Sequence, residues 1–162
     1  MSLSPYRIRI AAAVISNQEG RVLLVRKQGT RFFMQPGGKI GEGETEVQAL
    51  ARELREELGC TLTNAEFLGV LSASAANEPE HIVEAMLYRA EIAGGIVAAA
   101  EIAELAWVDP AMPGNLVLAP LTRDEVLPLI AGARGLPARL LEVATCLCCA
   151  APCRLLPTSP FV

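Results

Sequence analysis

Two segments of this chain are apolar at every consecutive position, Ala11-Ala12-Ala13-Val14-Ile15 and Val22-Leu23-Leu24-Val25. A strand that faces water on one side alternates, because successive side chains point to opposite faces. An unbroken apolar run therefore predicts a strand covered on both faces, with helices above and below the sheet. The two strands are expected over 7–16 and 21–26. Asn17-Gln18-Glu19-Gly20 joins them, a turn whose last residue is free to take positive φ. Further strands are expected at 67–74, 82–92 and 105–108. The 162 residues suit one domain, and 52% hydrophobic against 20% charged side chains supplies a core and excludes wholesale disorder.

A helix is expected over 45–58. Val47, Leu50, Ala51, Leu54 and Leu58 recur at helical spacing and draw one apolar stripe. Thr45 and Gln48 make a capping-box pattern at its start. Gly59 stands where a left-handed residue ends a helix, and Cys60 can pack back on Leu54. A last helix is expected to open at Thr122, with a capping box to Glu125 and Leu121 and Val126 as a staple. Pro128 should bend it or shift its start. Between strand and helix, 27–43 is a long loop holding Pro36-Gly37-Gly38, Gly41 and Gly43. Structured loops of that length tend to carry function.

Fourteen basic against eighteen acidic side chains leave a net charge of −4. That balance weighs against nucleic acid as a partner and fits a protein that meets phosphates through a bound cation. No apolar run reaches the length of a membrane span. Of the five cysteines only Cys60 precedes residue 140, so no secreted disulfide framework is present and a cytoplasmic setting is expected. After about Gly135 the character changes to prolines and the cluster Cys146, Cys148, Cys149 and Cys153, which lacks the paired spacing of a zinc site. The chain thus divides into a domain over 1–135 and a tail or terminal helix over 136–162. Leu140, Leu141 and Val143 of that tail could pack on the domain or form a homodimer contact.

On a helical wheel with Val47 at zero, Glu56, Glu53 and Glu57 fall at about 180°, 240° and 280°. Three carboxylates then share one arc away from the apolar stripe. Glu53 repels Glu56 and Glu57 at i,i+3 and i,i+4, and all three lie near the C-terminal end, where the helix dipole disfavours anions. Such a face is either a plain solvated one or the oxygen-rich site of a hard divalent cation.

The surrounding spacing bears on that choice. Gly38 is followed by five residues, Glu44, seven residues, then Arg52-Glu53-Leu54-Arg55-Glu56-Glu57-Leu58-Gly59-Cys60. This resembles the Nudix box, G-x5-E-x7-R-E-U-x-E-E-x-G-U with U aliphatic; only Cys60 departs from it. Chance coincidence of the fixed letters is about one in 10⁹ windows. Pro36-Gly37-Gly38-Lys39, the preceding hairpin and Ala106-Trp107-Val108 are also similar to this family, whose likeness covers residues 5 to about 133.

The resemblance implies an α/β/α sandwich with a mixed sheet and the box as loop–helix–loop. It implies Mg²⁺-dependent, sometimes Mn²⁺-dependent, hydrolysis of a nucleoside diphosphate linked to another group: a nucleoside triphosphate, an oxidised nucleotide or a nucleotide sugar. It places the metal on Glu53, Glu56, Glu57 and a Gly37-Gly38 carbonyl, assigned to Gly38, with Arg52 and Glu44 orienting the loop against the helix. Glu53 is the first choice for the base that takes a proton from water, with Glu56 beside it. Glu101 and Glu104 are the later acids that could serve instead. Arg26, Lys27, Gly37 and Lys39 lie where substrate phosphates could bind. Phe32 and Phe33 could stack on a base or pack in the core, and Asn115 could read a base edge or shape a turn. Loss of box glutamates would mark a non-catalytic nucleotide-sensing module, and none is lost.

Overall fold

The computed structural model of the protein describes residues 6–76 and 80–133. Among the described residues seven strands are present: β1 (Tyr6–Val14), β2 (Val22–Lys27), β3 (Phe33–Met34), β4 (Gly37–Lys39), β5 (Thr61–Ser74), β6 (His81–Ala93) and β7 (Ile102–Val108). They form a four-stranded sheet in the order β4-β1-β6-β5 and a three-stranded sheet in the order β3-β2-β7. Strands β1 and β6 are parallel and the other pairs antiparallel, so the larger sheet is mixed. Helix α1 (Glu46–Leu58) links β4 to β5, and a helical segment closes the described chain.

The unbroken apolar runs are covered on both faces, as expected. Ala11, Ala13 and Ile15 pack with Leu50, Leu54 and Leu58 of α1, whereas Ala12 and Val14 pack with Leu121 and Val126 of the C-terminal helical segment. Alternate residues of β1 thus feed two different layers. The β1–β2 turn also forms as read: Gly20 takes φ 73° and donates to the Asn17 carbonyl at 2.9 Å. The N–H of Arg21 donates to Asn17 Oδ1 at 2.9 Å.

Several expectations need correction. The segment 27–43 is not all loop, because Gly37–Lys39 pairs with Ile10–Ala12 and Phe33–Met34 pairs with Val25–Arg26. Strand β5 begins at Thr61, six residues earlier than expected, carried by its pairing with β6 rather than by its own apolar pattern. Thr122 is not an N-cap. Pro120, which has no N–H to satisfy, already stands in helical conformation two residues earlier. Thr122 therefore lies inside the helix, fully buried.

Thr122–Val126 forms a π-helical turn, closed by the Leu127 N–H on the Thr122 carbonyl, before α2 (Leu127–Ala133) continues. Pro128 sits just after it, and the wider turn relieves the clash of its ring with the preceding carbonyls.

Helix α1 starts and stops as its sequence says. Thr45 and Gln48 cap each other reciprocally, at 3.3 and 2.9 Å, and Gly59 is left-handed at φ 68°. Its roll differs from the wheel, however. Val47 is 41% exposed and Ala51 only half-buried, while Ala49, Leu50, Leu54, Glu57 and Leu58 are buried. The buried face is centred near 300° rather than 0° on the earlier wheel, at 100° per residue. Glu57 lies within that face rather than opposite it.

Candidate active site

Strand β4 lays the Gly37-Gly38-Lys39 backbone beside β1 and delivers the chain to the start of α1. Gly37 has φ 138°, and a Cβ there would overlap the Ala11 carbonyl. A Cβ on Gly38 would overlap the Glu53 carboxylate. These glycines therefore let the loop approach the protein's own β1 and α1, and the Glu53 carboxylate rests on the Gly38 backbone.

Arg52 ties this arrangement together. Its Nε and Nη2 donate to the two Glu44 oxygens at 2.8 and 2.9 Å, a bidentate pair, and Nη2 also reaches the Lys39 carbonyl at 3.1 Å. Nη1 donates to Glu53 Oε1 at 2.7 Å. Glu44 in turn accepts the Gly41 N–H at 2.9 Å. The Arg52 hydrogen bonds, with the Gly41 N–H adding to them, hold the Glu44 carboxyl down at about 2. The guanidinium is raised by the same contacts, first with Glu44 and then with Glu53.

Glu57 is 1% exposed. Its Oε2 accepts the Gly37 N–H at 3.0 Å, and its Oε1 lies 2.8 Å from Lys27 Nζ in an ion pair that lacks good hydrogen-bond direction. Burial is the largest influence on this carboxyl and pushes its pKa up, against the pull of Lys27 and Gly37. Lys27 Nζ also donates to Glu101 Oε1 at 2.6 Å. Burial pushes Lys27 down, but its contacts with Glu101 and Glu57 outweigh that and raise it.

A cavity of about 840 Å³ opens over these groups. One part of its wall is charged or bare backbone: Lys27, Gly37, Gly38, Lys39, Glu53 and Glu101. Another part is apolar, from Ile8, Ile10, Ala12, Val83 and Leu121. Gln35 and Thr122 join that wall; the sequence marked Thr122 only as a helix cap and Gln35 not at all. Gln35 is 6% exposed; its Oε1 accepts the Thr122 hydroxyl at 2.9 Å, and its Nε2 has no hydrogen-bond partner among the described residues.

The structure gathers some of the sequence candidates and separates others. Glu53, Lys27, Lys39, Gly37, Gly38 and Glu101 all line the cavity. Glu57 stands directly behind Lys27. The Glu56 side chain is 56% exposed, 3.7 Å from Arg52 Nη1, and does not line the cavity. Glu104 is held by Arg26 at 2.9 Å, and Arg26 with Asn115 lines a separate shallow depression. Phe33 packs in the core with Leu24, Val108, Leu118 and Leu127, and the Arg31 guanidinium lies 5.2 Å from the Phe32 ring centre. Among the described residues no three carboxylate, histidine or cysteine side chains converge on one point; Glu53 is engaged by Arg52 and Glu57 by Lys27. The late cysteines and the tail over 136–162 lie outside the described residues.

The chain is 44% identical over 63 residues to the 8-oxo-dGTP diphosphatase of Haemophilus influenzae, a match spanning 36% of this chain and 46% of that protein. It is 29% identical over 102 residues to a putative 8-oxo-dGTP diphosphatase of Bacillus subtilis, spanning 62% of this chain and 65% of the relative. An uncharacterized Nudix hydrolase of Bacillus subtilis is 30% identical over 119 residues, 71% of this chain and 74% of its own length. The first two relatives are thus matched over less than two thirds of their length. Among solved structures, the Escherichia coli ORF135 protein superposes with a TM-score of 0.63 at 27% identity, covering 86% of this chain and 97% of its own. The MutT protein of Methanosarcina mazei Go1 shares the fold with a TM-score of 0.68 at 23% identity, over 82% of this chain and 99% of its own. The family model described as NUDIX domain matches residues 6–130, which take in the box and every residue lining the cavity, and the chain belongs to that family.

Proposed function

We propose that the cavity binds a nucleotide and that the chain hydrolyses a pyrophosphate bond in it with the help of a divalent cation. One observation carries this reading: a single cavity joins a charged wall of carboxylates, lysines and glycine backbone to an apolar wall with one amide. A nucleotide has the same two parts, anionic phosphates and a flat, largely apolar base with polar edges. The names of relatives, the 8-oxo-dGTP diphosphatase of Haemophilus influenzae and an ADP-ribose pyrophosphatase of Methanocaldococcus jannaschii among them, support a nucleotide substrate. The proposed substrate is a nucleoside triphosphate, an oxidised nucleotide or a nucleotide sugar.

The residues suit a hard cation, Mg²⁺ or Mn²⁺. Glu53, Glu56, Glu57 and the Gly38 carbonyl offer oxygen donors, and the buried Glu57 Oε1 lacks a directed hydrogen bond. Once bound, such an ion screens phosphate charge and acidifies water. Glu53 is the proposed proton acceptor. Arg52 engages its Oε1, and among the described residues no hydrogen bond engages its Oε2. Arg52 and Glu44 keep Glu53 on the Gly38 backbone, so they position rather than react. Lys39 and Lys27 supply positive charge to the phosphates, and Gln35 meets the base.

The test is a panel of nucleoside triphosphates, oxidised nucleotides and nucleotide sugars with Mg²⁺, the products separated by ion exchange. A triphosphate should yield a monophosphate and pyrophosphate, and a nucleotide sugar two monophosphates. If no member of the panel is cleaved faster with Mg²⁺ than with chelator, the reading is wrong.

A further inference from the structure

Lys27 was expected on a substrate phosphate, yet the structure commits it elsewhere. Its ammonium bridges Glu101 at 2.6 Å and Glu57 at 2.8 Å, and it lines the cavity with its side chain about one quarter exposed. Glu57 is otherwise a buried carboxylate whose remaining contact is one backbone N–H. Without Lys27 it would be an uncompensated buried charge. A divalent cation taken by the same oxygens would stand within a few ångströms of Nζ, a like-charge contact that favours departure of the ammonium. The means of departure are present. Lys27 is the last residue of β2, at a register break against β7, and carries its charge on a flexible four-carbon stem.

We propose that Lys27 is an exchangeable counter-ion, which neutralises Glu57 and Glu101 in the metal-free protein and passes to a substrate phosphate when those carboxylates pass to a divalent cation. The inference rests on the reading of Glu57 as a metal ligand and adds a coupling to it. The ammonium competes with the cation for Glu57, and a phosphate that draws the ammonium away removes the competitor. Cation and substrate then each strengthen the binding of the other through one side chain.

The sequence makes this testable, since Lys27 and Lys39 are its only lysines. The full chain is treated with a limiting amine-acetylating reagent, with and without Mn²⁺ and with no nucleotide. Mass spectrometry then reads each lysine. Labelling of Lys27 relative to Lys39 should rise several-fold with Mn²⁺ and fall back with chelator. Calorimetric titration with Mn²⁺ alone should give a dissociation constant about tenfold lower for Lys27→Met than for wild type, with Lys27→Arg close to wild type. Unchanged Lys27 labelling in wild-type protein that demonstrably binds Mn²⁺ overturns the exchange and leaves the proposed function standing, as does equal or weaker Mn²⁺ binding by folded Lys27→Met. Should Lys27→Met fail to fold, the wild-type labelling decides alone. Wild-type protein that binds no Mn²⁺ overturns both the metal-dependent function and the exchange.

Discussion

Replacing Glu53 by Gln keeps its volume and keeps an oxygen for the Arg52 N–H at 2.7 Å. The melting temperature should therefore hold, while turnover falls about 10²–10⁴-fold through loss of the proton acceptor. Glu57→Gln differs, because the amide sets an NH₂ or a neutral oxygen against Lys27 in a fully buried place. It should lower activity and also cost about 1–3 kcal/mol of stability. Glu46, paired only loosely with Arg9 at 3.4 Å, is the control on the same helix, and Glu46→Gln should change neither. Rates and melts of the three variants check this, and wild-type turnover in Glu53→Gln would remove Glu53 from the chemistry. Glu44 allows a pH test. Its carboxyl is held at about 2, below the ordinary 4.5, chiefly by Arg52. A depressed carboxyl contributes stability above its unfolded value and loses it as pH falls through the folded one. Between pH 4.5 and 2 the wild-type melting temperature should therefore drop more steeply than that of Glu44→Gln. Parallel curves would show that the Arg52–Glu44 pair adds nothing to acid stability.

At the scale of elements, what local chemistry dictates was readable and what distant partners dictate was not. The capping box of α1, its left-handed Gly59 and the burial of Cys60 with its thiol 3.7 Å from the Leu54 carbonyl all follow from neighbours in sequence. Strands β3 and β4 are two and three residues long, too short to show a period. The roll of α1 escaped because hydrophobic counting assigns a glutamate to solvent, whereas Lys27 and the Gly37 N–H, 30 and 20 residues back, draw Glu57 inside. Thr122 fits a cap by sequence, yet its hydroxyl serves Gln35, 87 residues away. The spacing picked out Gly38 and Glu53, which line the cavity, together with Glu56, which does not. The β4–α1 contact gives its own prediction. Gly38→Ala places a methyl where the Glu53 carboxylate rests. It should displace Glu53 and lower kcat at least as much as Glu53→Gln, with the far-ultraviolet spectrum unchanged. Near-wild-type kcat would mean that the Glu53–Gly38 contact does not matter to turnover.

Across the whole molecule, the apolar core is built apart from the box carboxylates, and buried Glu57 serves both stability and the proposed chemistry. The described core consists of three apolar clusters built on β1, β2, β3, β6, β7, α1 and the C-terminal helical segment, and their residues are apolar throughout. The one fully buried box carboxylate, Glu57, has its positive charge from Lys27 in the same chain. Folding is therefore expected to proceed without a cation, whereas the proposed hydrolysis needs one. With chelator, activity should vanish while thermal unfolding stays a single cooperative transition. Mg²⁺ at ten times its dissociation constant should add about 1.4 kcal/mol by mass action, a rise of about 4–6 °C for a domain of this size. The gain is limited further if the ion must first displace Lys27, so Lys27→Met should start from a lower metal-free melting temperature and rise by more. Melts followed by circular dichroism, with chelator and across Mg²⁺ concentrations, measure each of these. Loss of the cooperative transition on chelation alone would show that the cation holds the fold together, and that the carboxylates of α1 are structural as well as chemical.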